Sequence, residues 1–252
     1  MSAIGRLTLV EIKLFVREPL ALIFVFAFPL FVLFVLGGVF GNDIDPRDEE
    51  DFRIWRGVGP ADYYQPAYIG LVMASVGLIT MPLRLTGYRE QGVLRRFRAA
   101  GVPRTAILGS QLLVGLAMMT VGSLAIVVAS NLTQGTELSD GWALTAAAYL
   151  LCGVTFAMLG LMLGSVLPGS RAAQGAGLIL FFVMMFISGA GPPRGVLTDA
   201  MRGFSNVLPL THVILLLQDA WLAGEWGGKA SLVVAGFLAG AVGVTARFFR
   251  WE

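Results

Sequence analysis

The residues of this 252-residue chain best suited to act on another molecule stand together between Thr86 and Thr105. The stretch reads Thr-Gly-Tyr-Arg-Glu-Gln-Gly-Val-Leu-Arg-Arg-Phe-Arg-Ala-Ala-Gly-Val-Pro-Arg-Thr and lies between two long apolar runs. On a helix, at about 100° per residue, Glu90, Val93, Leu94 and Phe97 share one face, while Arg89, Arg95, Arg96 and Arg98 spread around the rest. Gly101 and Pro103 end the segment, because neither continues a helix well. One acid beside an apolar triad and a ring of cations suits docking onto a protein rather than breaking a bond. The competing reading is a basic loop that only fixes topology and touches lipid headgroups. Such a loop has no reason to carry an apolar face.

Elsewhere the residue types that catalysis needs are missing or alone. Cys152 is the single cysteine, so neither a disulfide framework nor a cysteine zinc site is possible within the chain. It lies in an apolar run and reads as a small buried hydrophobe. His212 is also alone, and a metal site needs several ligands, so it reads as structural and no metal is expected. No His-Glu-x-x-His or Gly-x-Ser-x-Gly pattern occurs. The Gly228-Lys229 pair lacks the first glycine and the following Ser or Thr of a phosphate loop. Asp219 is the one candidate acid for coupling an ion within the bilayer, and it falls in a segment that reads as an outer hairpin, where a solvated interfacial acid is expected. The chain is therefore not expected to be an enzyme on its own. Any driving energy must come from another chain.

The elements that position the segment follow from composition. Apolar residues make up 56% of the chain and charged residues 13%, too much apolar surface for a water-soluble core of this size. An all-α integral membrane protein is expected, with glycines where helices in lipid approach closely. Residues 4–17 read as an amphipathic helix lying in the interface, with Arg6, Lys13 and Arg17 in one wedge. Six spans are expected at 20–40, 66–85, 105–130, 142–167, 172–188 and 230–249 within a single transmembrane domain covering 1–252. The first run is too long for a signal-peptide core. Pro29 should kink the first span and leave a carbonyl for a neighbour to satisfy. Gly41 to Gln65 reads as a polar loop, acidic in its first half. Residues 88–100 cap spans 2 and 3, and 196–223, interrupted at Leu208-Pro209, read as a re-entrant or interfacial hairpin between spans 5 and 6. With both termini cytoplasmic, the inner side carries twelve of the eighteen Lys and Arg residues, the bias that orients membrane proteins.

The run from Tyr88 to Arg104 resembles the signature of type-2 ATP-binding-cassette exporter permeases, in which a glutamate, a glycine and a basic-apolar stretch precede a proline and form a coupling helix. Ser188-Gly189 closing the fifth span, Leu208-Pro-Leu-Thr211 in the hairpin and the basic end at Arg247 to Arg250 extend the resemblance over the whole chain. The segment is most similar to drug and antibiotic exporters of the daunorubicin kind, although Ala100-Gly101 precedes Val102-Pro103 where those often have Thr-Pro. Polysaccharide or lipid-linked glycan export is the alternative within the class, and a non-transporting sensor or assembly subunit is the alternative outside it. The resemblance implies a permease of the bacterial cytoplasmic membrane, in contact with lipid and not with nucleic acid. It would pair with a second permease chain, identical or related, and with two ATP-binding subunits that hold ATP and magnesium. It places Glu90, Gly92, Val93, Leu94, Arg95 and Phe97 against the ATP-binding subunit. Aromatic and thioether side chains, among them Phe28, Phe31, Phe181 and Met185, are candidates to line a path for hydrophobic or amphipathic molecules, although packing between helices or against lipid explains them as well. Pro192, Pro193 and Pro209 are the candidates for an outer gate.

Overall fold

The computed structural model describes residues 19–42, 48–139 and 141–249. The interfacial helix expected over 4–17 lies outside the described residues. All regular structure among the described residues is helical. Six helices are long and apolar enough to cross a membrane: Ile23–Phe40, Phe52–Glu90, Arg104–Gln134, Trp142–Val166, Ser170–Ile187 and Gly228–Phe248. They are spans 1 to 6, and the fold is an all-α integral membrane bundle.

Span 2 starts earlier than its sequence suggests, and a distant cap explains why. Its continuous part opens at Pro60, which follows an extended Gly59 and takes the first helical position where a missing N–H costs nothing. Asn42, at the exit of span 1, accepts from the N–H groups of Ala61 at 3.1 Å and Asp62 at 3.4 Å. A side chain nineteen positions away thus covers donors that every helix start leaves open. Pro66 falls inside this helix instead of beginning it, and the expected polar loop also contains a short helix, Glu49–Trp55. From Pro60 to Glu90 the helix runs for about 46 Å at 1.5 Å per residue, well beyond a hydrocarbon core of about 30 Å. The helix is therefore longer than a crossing requires.

Span 2 is the axis of the bundle. Within its apolar window 94% of residues are buried, against 17–50% for the other five spans. It also carries Pro82, directly after a π turn, Val76–Thr80. Span 1 repeats the arrangement, with a π turn at Ile23–Ala27 just before Pro29. A proline donates nothing to the carbonyl four residues back, here Leu78 for Pro82 and Val25 for Pro29. The wide turn absorbs the ring that would otherwise clash. Glycines of neighbouring spans press against this backbone. A Cβ at Gly177 would lie 2.2 Å from Leu78 O, one at Gly160 2.4 Å from Gly77 O, and one at Gly122 3.2 Å from Val25 O. Glycine at these three positions lets the backbones of neighbouring spans approach this closely.

The segment expected as a hairpin is two helices, Asp199–Ser205 and Pro209–Leu222, bent by 89°. The second is about 21 Å long by its rise, too short to cross. It is buried on most of its surface, packing against spans 2, 4 and 6. His212 is structural, its Nε2 meeting Asn206 O at 2.8 Å. Asp219 is not simply solvated: Arg56 reaches its Oδ1 at 2.7 Å and ties the hairpin to the start of span 2. Arg56 is the only non-glycine among the described residues with positive φ, at 59°. Cys152 is fully buried.

Candidate functional site

Residues 91–103 join spans 2 and 3 through two glycine-made corners. Span 2 ends at Glu90, and Gly92 then takes a left-handed conformation, φ 68° and ψ 14°, as the N-cap of the helix Val93–Ala99. Gly101 repeats the left-handed turn at φ 72°, and extended Pro103 starts span 3 at Arg104. Gly92 has open space where a Cβ would lie, so side-chain bulk does not require glycine there and backbone conformation alone does. Gly92→Ala is expected to cost about 1–2 kcal/mol, the left-handed penalty of a residue with a Cβ. Gly92→Asn should recover part of that. Thermal melting of the purified protein checks both, and equal melting of all three proteins would contradict the assignment.

The apolar face of the short helix is used largely within the chain. Leu94 is 1% exposed, and Phe97 is half-buried against the core of the bundle. Val93 is half-buried, whereas Arg95, Arg96 and Arg98 are exposed. Helical periodicity identified the apolar stripe but not what covers it: the stripe seats the helix on its own spans. Outward lies a cationic surface. Of the six residues expected at a partner, Arg95 is exposed, Gly92, Val93 and Phe97 are partly so, Leu94 is turned inward, and Glu90 is exposed but bonded to Ser170.

Arg89 and Glu90 hold a different part of the chain, the turn between spans 4 and 5. The Glu90 carboxylate accepts from the Ser170 N–H at 2.9 Å through Oε1 and from the Ser170 hydroxyl at 2.6 Å through Oε2. Ser170 opens span 5, so Glu90 puts negative charge on the positive end of that helix. Arg89 donates to Gly164 O at 3.3 Å and to Leu167 O, at the closing end of span 4. Its positive charge meets the negative end of that helix. Two adjacent residues of span 2 thus clamp two helix ends with the correct sign at each. Gly169 makes room, since a Cβ there would lie 2.4 Å from Glu90 Oε1. The resemblance singled out Glu90 but not Arg89 or Ser170. The only local signal was Pro168-Gly169-Ser170, a helix stop followed by a start, eighty positions from the glutamate.

At the other end of the bundle an apolar groove of about 730 Å³ opens between spans 1, 2 and 5. Phe31, Met185, Pro192 and Pro193 line it, together with Trp55 and Tyr64, which the sequence reading did not pick out. Tyr64 donates to Gly191 O at 2.7 Å and stacks on Tyr68, with ring centroids 5.4 Å apart. Phe28 and Phe181 lie elsewhere. They meet edge to face at 5.7 Å in a cluster with Phe24 and Phe182 that joins spans 1 and 5. Both pack between spans 1 and 5 and not in the groove. Pro209 also stands apart, buried at the start of the re-entrant helix. Arg194 donates to Asn206 Oδ1 at 2.8 Å, and partial burial lowers its guanidinium pKa from the ordinary arginine value. Among the described residues, no group of three His, Cys, Asp or Glu side chains is placed to hold a metal.

The sequence model of the family described as "ABC-2 type transporter" matches residues 2–221, which include the clamp, the groove and nearly all of the re-entrant helix. No curated protein matches the chain.

Proposed function

Because the chain belongs to the ABC-2 type transporter family, whose membrane subunits work with an ATP-binding partner, we propose that this permease subunit exports a hydrophobic or amphipathic compound using ATP hydrolysed on that partner. The observation that carries this reading is the clamp. A short cationic helix faces outward, and the two residues just before it grip the ends of spans 4 and 5. A push on that helix reaches three spans through span 2, a rigid coupling of one element to another. The apolar groove at the far end, of a volume ordinary for a small-molecule site, supports an apolar cargo such as a drug, an antibiotic or a lipid-like molecule.

In this reading residues 91–103 lie in the cytoplasm with both termini, in a bacterial cytoplasmic membrane, and the groove opens outward. Two ATP-binding subunits carry the nucleotide and its magnesium, and Arg95 and Arg96 meet them. A second permease chain completes the path. Spans 1, 5 and 6, whose windows are only 17–28% buried, have faces free for that chain and for lipid.

The test reconstitutes the permease with its ATP-binding subunit in vesicles and offers a panel of amphipathic compounds. Stimulated ATP turnover together with ATP-dependent movement of one compound is the expected result. ATP turnover that no compound alters would instead indicate a sensor or assembly subunit. Movement by this chain alone under a proton or sodium gradient would overturn the ATP coupling.

A further inference from the structure

The groove is apolar, but a second cavity at the same end of the bundle is cationic. It has a volume of about 510 Å³ and lies between the hairpin and the start of span 6. Arg194, Asn206, His212 and Lys229 line it over an apolar floor of Leu215 and Val233. Arg194 uses one amino group on Asn206, a neutral partner, while its other terminal nitrogen, Nη1, is shut off from solvent with no hydrogen-bond partner. Lys229 is exposed, and among the described residues neither it nor Arg194 forms an ion pair. The rim includes Gly227 and Gly228, where the 21-residue helix of span 6 begins without a side-chain cap. Its first N–H groups and its dipole add to the positive field. One carboxylate reaches the cavity, Asp219, and Arg56 engages it at 2.7 Å. The residues lining the site therefore keep a net positive charge, from Arg194 and Lys229 against Asp219.

We propose that this cavity binds a phosphate-bearing anion, supplied either by the headgroup of a lipid in the adjoining leaflet or by a free phosphomonoester. Two cationic side chains, Arg194 and Lys229, and an uncapped helix start all suit tetrahedral oxyanions. The cavity is too large for a bare phosphate and leaves room for a glycerol-sized substituent. Its position beside the apolar surface of span 6 would let acyl chains run down the outside of the bundle.

The test uses the full chain in phosphatidylcholine nanodiscs, with phosphatidylglycerol added in one arm and soluble glycerol 3-phosphate in the other. Retained lipid is read by native mass spectrometry. The expected result is a preference of about tenfold for phosphatidylglycerol over phosphatidylcholine, as for one good charge-assisted contact. Arg194→Gln with Lys229→Gln should erase the preference. Lys229→Gln alone, at an exposed residue with no partner to lose, should cut it severalfold and guards against misfolding of the double variant. Arg53→Gln, the same charge change at a separate exposed position near that end, should leave it intact. If glycerol 3-phosphate competes with the lipid, the ligand is a free phosphomonoester; if it does not, the ligand is a headgroup. Equal retention of the two lipids, or a preference unchanged in the double and single variants, overturns the proposal. No arm uses ATP, so failure here and failure of the export reading are separate results.

Discussion

Glu90→Ala is expected to lower ATP-driven transport by about tenfold or more while ATP hydrolysis in the complex continues, a scale in keeping with substitutions along a coupling element. Among the described residues the carboxylate is the only side chain hydrogen-bonded to the first turn of span 5, through both the backbone and the hydroxyl of Ser170. Without it, the closing end of span 4 is still held by Arg89, but span 5 is released from span 2. The chain should still insert, because its apolar runs and its arginines are unchanged. Ser170→Ala removes the hydroxyl and spares the backbone donor, so its loss should be in the same direction and smaller. The double variant should be no worse than Glu90→Ala alone, since both changes act on one contact. Additive losses would mean that Glu90 works through some other partner.

The second large effect is structural. Gly177→Ala would drive a methyl group to 2.2 Å from Leu78 O, and Gly160→Ala would drive one to 2.4 Å from Gly77 O. Backbone cannot swing aside as a long side chain does, so the spans must separate around the π turn. Each change is expected to cost about 1–3 kcal/mol, the usual range for overpacking. Larger side chains at either position should prevent recovery of folded protein. Gly175 supplies the control within span 5, because a Cβ there meets nothing within 4 Å. Gly175→Ala should melt like the parent protein in detergent or slightly above it. Equal melting of the Gly175 and Gly177 variants would show that close backbone contact does not hold spans 2 and 5 together.

The sequence revealed the class of fold through one-dimensional properties, namely apolar runs of spanning length and a skewed distribution of cations. What it hid depends on residues far apart in the chain. Span 2 begins at Pro60 because Asn42 caps it, and nothing near Pro60 announces that cap. Pro29 and Pro82 foretell a disturbed helix, but the π turns that precede them, with glycines of neighbouring spans packed alongside, depend on residues far off in the chain. The amphipathic stripe of 93–97 was legible, yet periodicity says only that a face is apolar. Leu94 faces the bundle because span 2 turns back on itself at Gly92. Glu90 was legible through family resemblance, whereas its bond to Ser170 spans eighty positions. Phe31 and Met185 share the groove while Phe28 and Phe181 do not, a distinction of helix rotation that composition cannot express.

The claim on which the account turns is that the cationic helix and the turn between spans 4 and 5 travel as one body when ATP is consumed. Cys152 is buried, so spin labels would attach selectively at Ala99→Cys and Arg171→Cys, both exposed positions. The distance between them, measured by pulsed electron resonance in the working complex, is predicted to stay the same in the nucleotide-free, ATP-trapped and post-hydrolysis states. A distance that changes with nucleotide while transport proceeds would show that the helix moves independently of spans 4 and 5, and the clamp would not be the coupling device.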